Sequence, residues 1–217
     1  MSKAPVPRRH LHLSRAAIAK AALEIVDSDG LEALNLRGVA ASLGVGTMTL
    51  YRYVPDRDSL LNDIVGLLLS EVDTTEKPGE QWDETIRRVT RSVHQMGLRH
   101  PLAYGLVALA PEDQSPVLEH ARRIEELHAA QQIPEELFIK MWSVVDAFST
   151  GFMLLEAKAH TGSRSGDAGL RDPETASLAA HLPEAQTSAA FDEGLEVVIA
   201  GLRLTLMAHD WPPRSSG

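Results

Sequence analysis

Residues 35–53, NLRGVAASLGVGTMTLYRY, constrain this chain more than any other stretch. Leu36, Val39, Ala40 and Leu43 recur at helical spacing, which gives one face that packs inward. The run Leu43-Gly44-Val45-Gly46 then breaks the pattern. Gly44 suits a helix end because it takes positive φ without a Cβ clash. Thr47 is placed to cap a second short helix carrying Met48, Thr49, Leu50, Tyr51, Arg52 and Tyr53. That helix is too polar and too aromatic to be buried all round. Two short helices around a glycine turn, the second bearing Thr, Tyr and Arg, have the layout of a helix-turn-helix that reads double-stranded DNA. A plain helical hairpin in a core is the alternative, and it leaves those polar side chains unused.

The rest of the chain reads as helix too. Alanine and leucine dominate, aromatics are 5%, and no strand pattern or internal repeat stands out. At 217 residues, 44% hydrophobic and 24% charged, the chain is long and apolar enough for a sizeable core. We expect an all-α fold with an N-terminal three-helix DNA-binding domain over residues 1–60, including a flexible arm over 1–13. A larger helical domain for effector binding and dimerisation should fill residues 61–217. No apolar run reaches the roughly 18 residues of a membrane span, and the N-terminus lacks the apolar core of a signal peptide. Cysteine is absent, which excludes disulfides and thiolate metal sites and fits a cytoplasmic location. Net charge is −9, yet residues 1–60 hold 8 Lys+Arg against 6 Asp+Glu, so the head is slightly basic on an acidic body. That asymmetry confines phosphate contact to the head.

In chain order, Ser14 can cap a first helix with Ile18, Ala21, Ala22, Ile25 and Val26 on one stripe and Asp29-Gly30 as its stop. After the helix-turn-helix, Pro55-Asp56 breaks the chain and Asp56 can cap a long helix reaching toward Val72. A helix follows from about Gln81 to Arg99, then a short apolar segment from Leu102 to Leu109, then a helix from Ser115-Pro116 to about Gln132. Pro134 opens a helix from Glu135 to about His160 that is apolar nearly all round, so it must be central or shared with another subunit. Residues 161–172 read as a mobile loop and 174–182 as a short helix. The last helix, Ser188 to His209, ends before Trp211-Pro212-Pro213.

Several side chains are candidates for binding. Arg52 has the reach for a bidentate contact to guanine, with Tyr51, Tyr53 and Thr49 on phosphates or a thymine methyl, and Thr47 and Met48 at the tip. Arg37 and Arg57 should position the DNA backbone. Trp82, Met96, Tyr104, Met141, Trp142, Phe148, Phe152 and Met153 are large, adaptable groups suited to an apolar ligand cavity, to which His94, His100 and Asp146 would add polar contacts. A filled core uses the same residues. Asp146 is expected to be buried among apolar neighbours. The nine histidines look like surface residues: no HExxH, GxSxG or phosphate-binding glycine loop occurs, so no catalytic residue, metal or cofactor is expected. The last two long helices of each subunit should pair into a four-helix bundle and make a homodimer, with Gly194 and Gly201 allowing close approach.

The stretches LRGVAASLGV and TMTLYRYVPDRDSLL resemble the TetR family of bacterial transcriptional regulators, through Leu43-Gly44-Val45, Thr49-Leu50-Tyr51 and the Leu60-Leu61 pair after a charged residue. The likeness covers roughly Ser14 to Leu61, and Phe191 to Leu206 is similar to the last dimerising helix of tetracycline-repressor-type domains. Arg57 stands where the family usually has lysine and keeps the charge. Leu36 stands where a small hydroxyl residue is common, which removes a phosphate contact. The resemblance implies a repressor that binds a palindromic operator as a dimer and leaves it when a small apolar effector binds. A helical DNA-binding protein without an effector is the alternative, and a helical enzyme stands well behind.

Overall fold

In the computed structural model, which describes residues 13–111, 113–165 and 187–209 (of 159–165 the backbone alone), all regular structure among the described residues is helical. Capping residues set the boundaries. Ser14 accepts a hydrogen bond from the Ala17 N–H and starts α1 (Arg15–Asp29), which Gly30 closes at φ 84°. A 3-10 turn over Leu31–Ala33 leads to Asn35, whose side chain accepts from the Gly38 N–H at 2.8 Å and opens α2 (Leu36–Ser42). Gly44, at φ 67°, makes the turn into α3 (Thr47–Leu50). Here one expectation is corrected. Gly46 occupies the N-cap and Thr47 is the first helical residue, with no side-chain cap.

The second helix is also shorter than its pattern. After Leu50 the chain continues in tight turns, Arg52 N–H to Thr49 O at 3.3 Å and Tyr53 N–H to Leu50 O at 2.9 Å. Pro55 explains the early stop, because the residue before a proline is driven toward extended backbone. Asp56 then accepts from the Ser59 N–H at 2.7 Å and starts α4 (Arg57–Leu69). That bond holds the Asp56 carboxyl below the usual carboxylate range.

The body follows as α5 (Trp82–Arg99), entered through a Gln81/Glu84 capping box, α6 (Tyr104–Ala108), α7 (Ser115–Ala129), α8 (Glu135–Ser165) and α9 (Ser188–Ala208), capped by Thr187. In α7 Gln114 takes the cap position and Ser115 is already helical, donating to Glu119 at 2.9 Å. The expected loop from residue 161 is corrected in part: α8 runs on to Ser165, since one glycine costs a helix only about 1 kcal/mol. The arm expected over 1–13, apart from Leu13, the short helix over 174–182 and the Trp211-Pro212-Pro213 stop lie outside the described residues.

One apolar cluster runs through head and body. Ile18, Ala22 and Val26 of α1 meet Val39, Ala40, Leu50 and Val54 of the helix-turn-helix and Leu60 and Ile64 of α4. Leu68, farther along α4, belongs to the same cluster as Met96 and Tyr104 of the body. The division expected at residue 60 falls inside α4, which Asp63 ties back to Arg15 of α1 through a two-oxygen contact at 2.6 and 2.8 Å. On α8 the buried stripe is Leu137, Met141, Val145, Ser149, Met153 and Glu156, while Ile139, Val144 and Leu155 are exposed. Residues 135–158 of α8 are long and apolar enough, by length and composition, to cross a membrane, contrary to the reading of its sequence. The helix instead packs against α5, α6, α7 and α9. Ion pairs lace α9 to α5: Arg87 to Glu196 at 2.6 Å, Arg91 to Asp192 at 2.7 Å, and Arg203 to Asp83.

Candidate DNA-reading surface and effector cavity

The glycine turn presents α3 and the residues after it on the outside of the head. Leu50 and Val54, fully buried, anchor the segment, so the side chains between and before them point outward. Met48 is 79% exposed, Thr49 and Arg52 are exposed, and Tyr51 and Tyr53 keep 44% and 39% of their surface. Thr47 is half-buried at the start of the helix. Arg37 is exposed on α2, and Arg57 is exposed while donating to the Leu31 carbonyl at 3.4 Å. Of the eight expected DNA-facing residues, Arg37 lies on α2, Thr47, Met48 and Thr49 on α3, Tyr51, Arg52 and Tyr53 in the turns that follow α3, and Arg57 at the start of α4.

The body residues separate into three groups. Tyr104 and Met153 line a cavity of about 20 Å³ together with Gly97, Leu98, Pro101 and Glu156. The Met153 methyl lies directly against Gly97, where any Cβ would collide with it. Burial pushes the Tyr104 phenol up from its ordinary value. A second group surrounds Phe191. The His94 ring lies on it at 3.9 Å and 12°, and Phe148 and Phe152 close round it at 5.5 and 5.3 Å. His94 donates from Nε2 to Glu156 Oε2 at 2.8 Å. Met96 and Met141 fill core positions, and Trp82 and Trp142 are half-buried against the same cluster. A wider groove of about 280 Å³ beside Lys77, Glu80, Gln81, Thr85 and Gln131 has a polar wall, unlike an apolar effector site.

His100 forms the third group by itself. Its Nδ1 faces Asp27 Oδ2 of α1 at 2.8 Å and its Nε2 faces Glu71 Oε1, just past α4, at 3.1 Å. Arg99 donates to the other Glu71 oxygen at 2.7 Å. The end of α5 thus clasps the head at α1 and at the foot of α4.

Three expectations change. Asp146 is exposed, not buried, because its neighbours Val145 and Ser149 define the inward face of α8 and Asp146 lies off it. His94 and His128 are buried rather than on the surface: His94 falls on the inner stripe of α5, and His128 bonds the Ile124 carbonyl at 2.9 Å. Gly194 makes its close approach inside the chain, where a Cβ would come within 2.8 Å of Phe148, while Gly201 has open space before it. Glu156, Gly97, Asp27 and Glu71 escaped the sequence reading. Glu156 had a signal, since it continues the spacing of Val145, Ser149 and Met153 along α8.

Among the described residues no group of three or more His, Asp or Glu side chains is assembled to hold a metal ion. The family model described as "Tetracyclin repressor-like, C-terminal domain" matches residues 75–206, more than half of the chain. The chain belongs to the TetR family of transcriptional regulators. The HTH-type transcriptional repressor DrrR1 of Streptomyces coeruleorubidus is 39% identical over 100 residues, which are 44% of this chain and 35% of that protein. The chain thus matches about a third of that repressor's length. An HTH-type transcriptional regulator of Saccharopolyspora erythraea is 24% identical over 202 residues, 89% of this chain and 86% of the other. Among TetR-family structures, ActR of Streptomyces coelicolor in complex with actinorhodin has a TM-score of 0.66 at 25% identity, over 88% of this chain and 96% of that one. TetR from Acinetobacter baumannii AYE, at 18% identity and a TM-score of 0.69 over 89% of this chain and 98% of that one, shares the fold.

Proposed function

We propose that this TetR-family chain is a dimeric repressor, not an enzyme, that a small effector releases from a palindromic operator. The observation that carries the reading is a juxtaposition on one turn of backbone. Gly97, Leu98 and Pro101 line the cavity, while Arg99 and His100 between them hold Glu71 and Asp27. A drug-sized ligand needs on the order of 300 Å³ or more, so it must push this turn away from α8 to enter. The clasp on the head then loosens and α4 swings. On this reading the closed cavity belongs to the arrangement that binds the operator. Support from relatives is of the same kind: one is named a repressor, and ActR is seen with actinorhodin.

The reading head is Thr47–Tyr53, with Arg52 on a guanine, Tyr51, Tyr53 and Thr49 on phosphates or a thymine methyl, Met48 at the tip, and Arg37 and Arg57 on the backbone. One such head covers only a few base pairs, so two must act together. Val144, Ala147, Gly151 and Leu155 of α8 form one exposed stripe, and Val197, Gly201, Leu204 and Ala208 of α9 another. Two copies joined there make a four-helix bundle. For a hundredfold loss of operator affinity, the effector must bind the DNA-incompetent form more tightly by about 2.7 kcal/mol.

The test is a ligand screen by thermal shift, followed by a gel shift of the operator with each hit. Hits that lower operator affinity support the reading, and hits that stabilise the protein but leave the operator bound contradict it. The small size of the cavity is the observation that favours the alternative, a regulator without an effector.

A further inference from the structure

Met48, on α3, is the most exposed large apolar side chain among the described residues, at 79%. The fold makes no use of it. Leu50 and Val54, two and six residues further on, are the buried anchors of the segment, and Met48 stands outside the core cluster. Gly46 is a second, independent observation. Gly44 sits at φ 67°, a conformation that favours glycine. Gly46 is at φ −72° and ψ 143°, where any residue fits, and a Cβ there would meet nothing nearer than Thr49 Oγ1 at 3.9 Å. Gly46 is exposed, and as the N-cap it leaves α3 without the side-chain bond that a Ser, Thr, Asp or Asn would supply. The chain thus keeps bare backbone at the end of α3 that carries its most exposed apolar group. Bare backbone there suits a partner that approaches closely.

The chemistry of Met48 narrows what it can recognise. A thioether has no N–H or O–H to donate, and its sulfur is a weak acceptor. Base edges in the major groove present donors, acceptors and one apolar group, the C5-methyl of thymine. We propose that Met48 reads a thymine methyl in each half-site, and that Gly46 gives the clearance that lets it reach the base. The assignment rests on the reading of Thr47–Tyr53 as the DNA-reading segment. Within that segment it gives the methyl contact to Met48 and leaves phosphates to Thr49, Tyr51 and Tyr53.

The test starts from the site that the full-length chain selects from randomised duplex DNA. Each thymine in turn, in both half-sites together, is replaced by deoxyuridine, which pairs alike and lacks only the C5-methyl. Fluorescence anisotropy then gives the affinities. At one position the parent should lose about fourfold per half-site, or about fifteenfold for the pair, the worth of one buried methyl in each. Met48→Ala should bind the thymine and uridine duplexes equally. Gly46→Ser restores a cap, so its melting temperature should hold or rise while its operator affinity falls. A uridine penalty that persists in Met48→Ala overturns the assignment, as does a site where no thymine shows a penalty. Unchanged operator affinity in Gly46→Ser overturns the role of Gly46. With a selected site bound, each of these failures leaves the DNA-reading segment standing, whereas no selected site overturns both.

Discussion

Arg37, on α2, and Arg52, in the turns after α3, are both exposed, and they should behave differently. Arg52→Ala removes a base contact and should cost about 1–3 kcal/mol on the best site while relaxing the preference at one base pair. Arg37→Ala should weaken every sequence alike and reduce the salt slope of log K by about 1. Fluorescence anisotropy on the selected site and one scrambled site, at several salt concentrations, separates the two. His120 gives a prediction about stability. Burial holds its pKa down at about 4, whereas an unfolded imidazole titrates near its ordinary 6.5. Between those values the unfolded chain binds the extra proton, so stability is present above about 6.5 and falls as pH drops toward 4, by roughly 2–3 kcal/mol. Urea midpoints across that window should show the loss, and His120→Gln should flatten it. At this scale Ser14 and Asp56 were legible because a short polar side chain before an apolar repeat has a local job. Asp146 was misread because being surrounded by apolar letters in sequence says nothing about angle round a helix. Asp27 and Glu71 were silent, since their partner His100 lies 73 and 29 residues away.

The elements themselves were mostly plain in the sequence, because caps and prolines bound them and the helical period fills them. What the sequence withheld was which helix ends meet. The clasp of α5 on α1 and the foot of α4 is a product of packing, and it leads to a test of coupling. His100→Ala should weaken operator binding several-fold while leaving unchanged the thermal shift produced by hits from the ligand screen. Asp27→Asn should act in the same direction, and the double variant should lose less than the sum, as partners in one contact do. If His100→Ala leaves operator affinity and its response to ligand intact, the clasp does not couple. On α8, Met153→Ala should lower stability by about 2–5 kcal/mol, as a buried Met truncation does, and should tighten binding of the hits from the ligand screen by opening room beside Gly97. Melting temperature and ligand titration read the two effects on one sample.

At the scale of the molecule, burial differs between the two long helices' faces. Val197, Leu204 and Met207 of α9 are 69–73% exposed, and Val144 and Leu155 of α8 are about half exposed, which a solitary chain would leave in water. The sequence hinted at this through a helix apolar all round, but it assigned Gly194 to the seam, whereas that glycine accommodates Phe148 within the chain. Replacing Val197 and Leu204 together by Glu should split the dimer in sedimentation and abolish tight operator binding with the heads still folded. Two heads on one duplex are the centre of the account, and stoichiometry tests it most directly. The full-length chain is used to select sites from randomised duplex DNA, and the best duplex is titrated at a concentration far above its dissociation constant, with a half-site duplex beside it. The account predicts an enriched palindrome, a sharp break at two chains per duplex, and binding at least a hundredfold weaker on the half-site. No enriched sequence, or a break at one chain per duplex with equal affinity for the half-site, would contradict it.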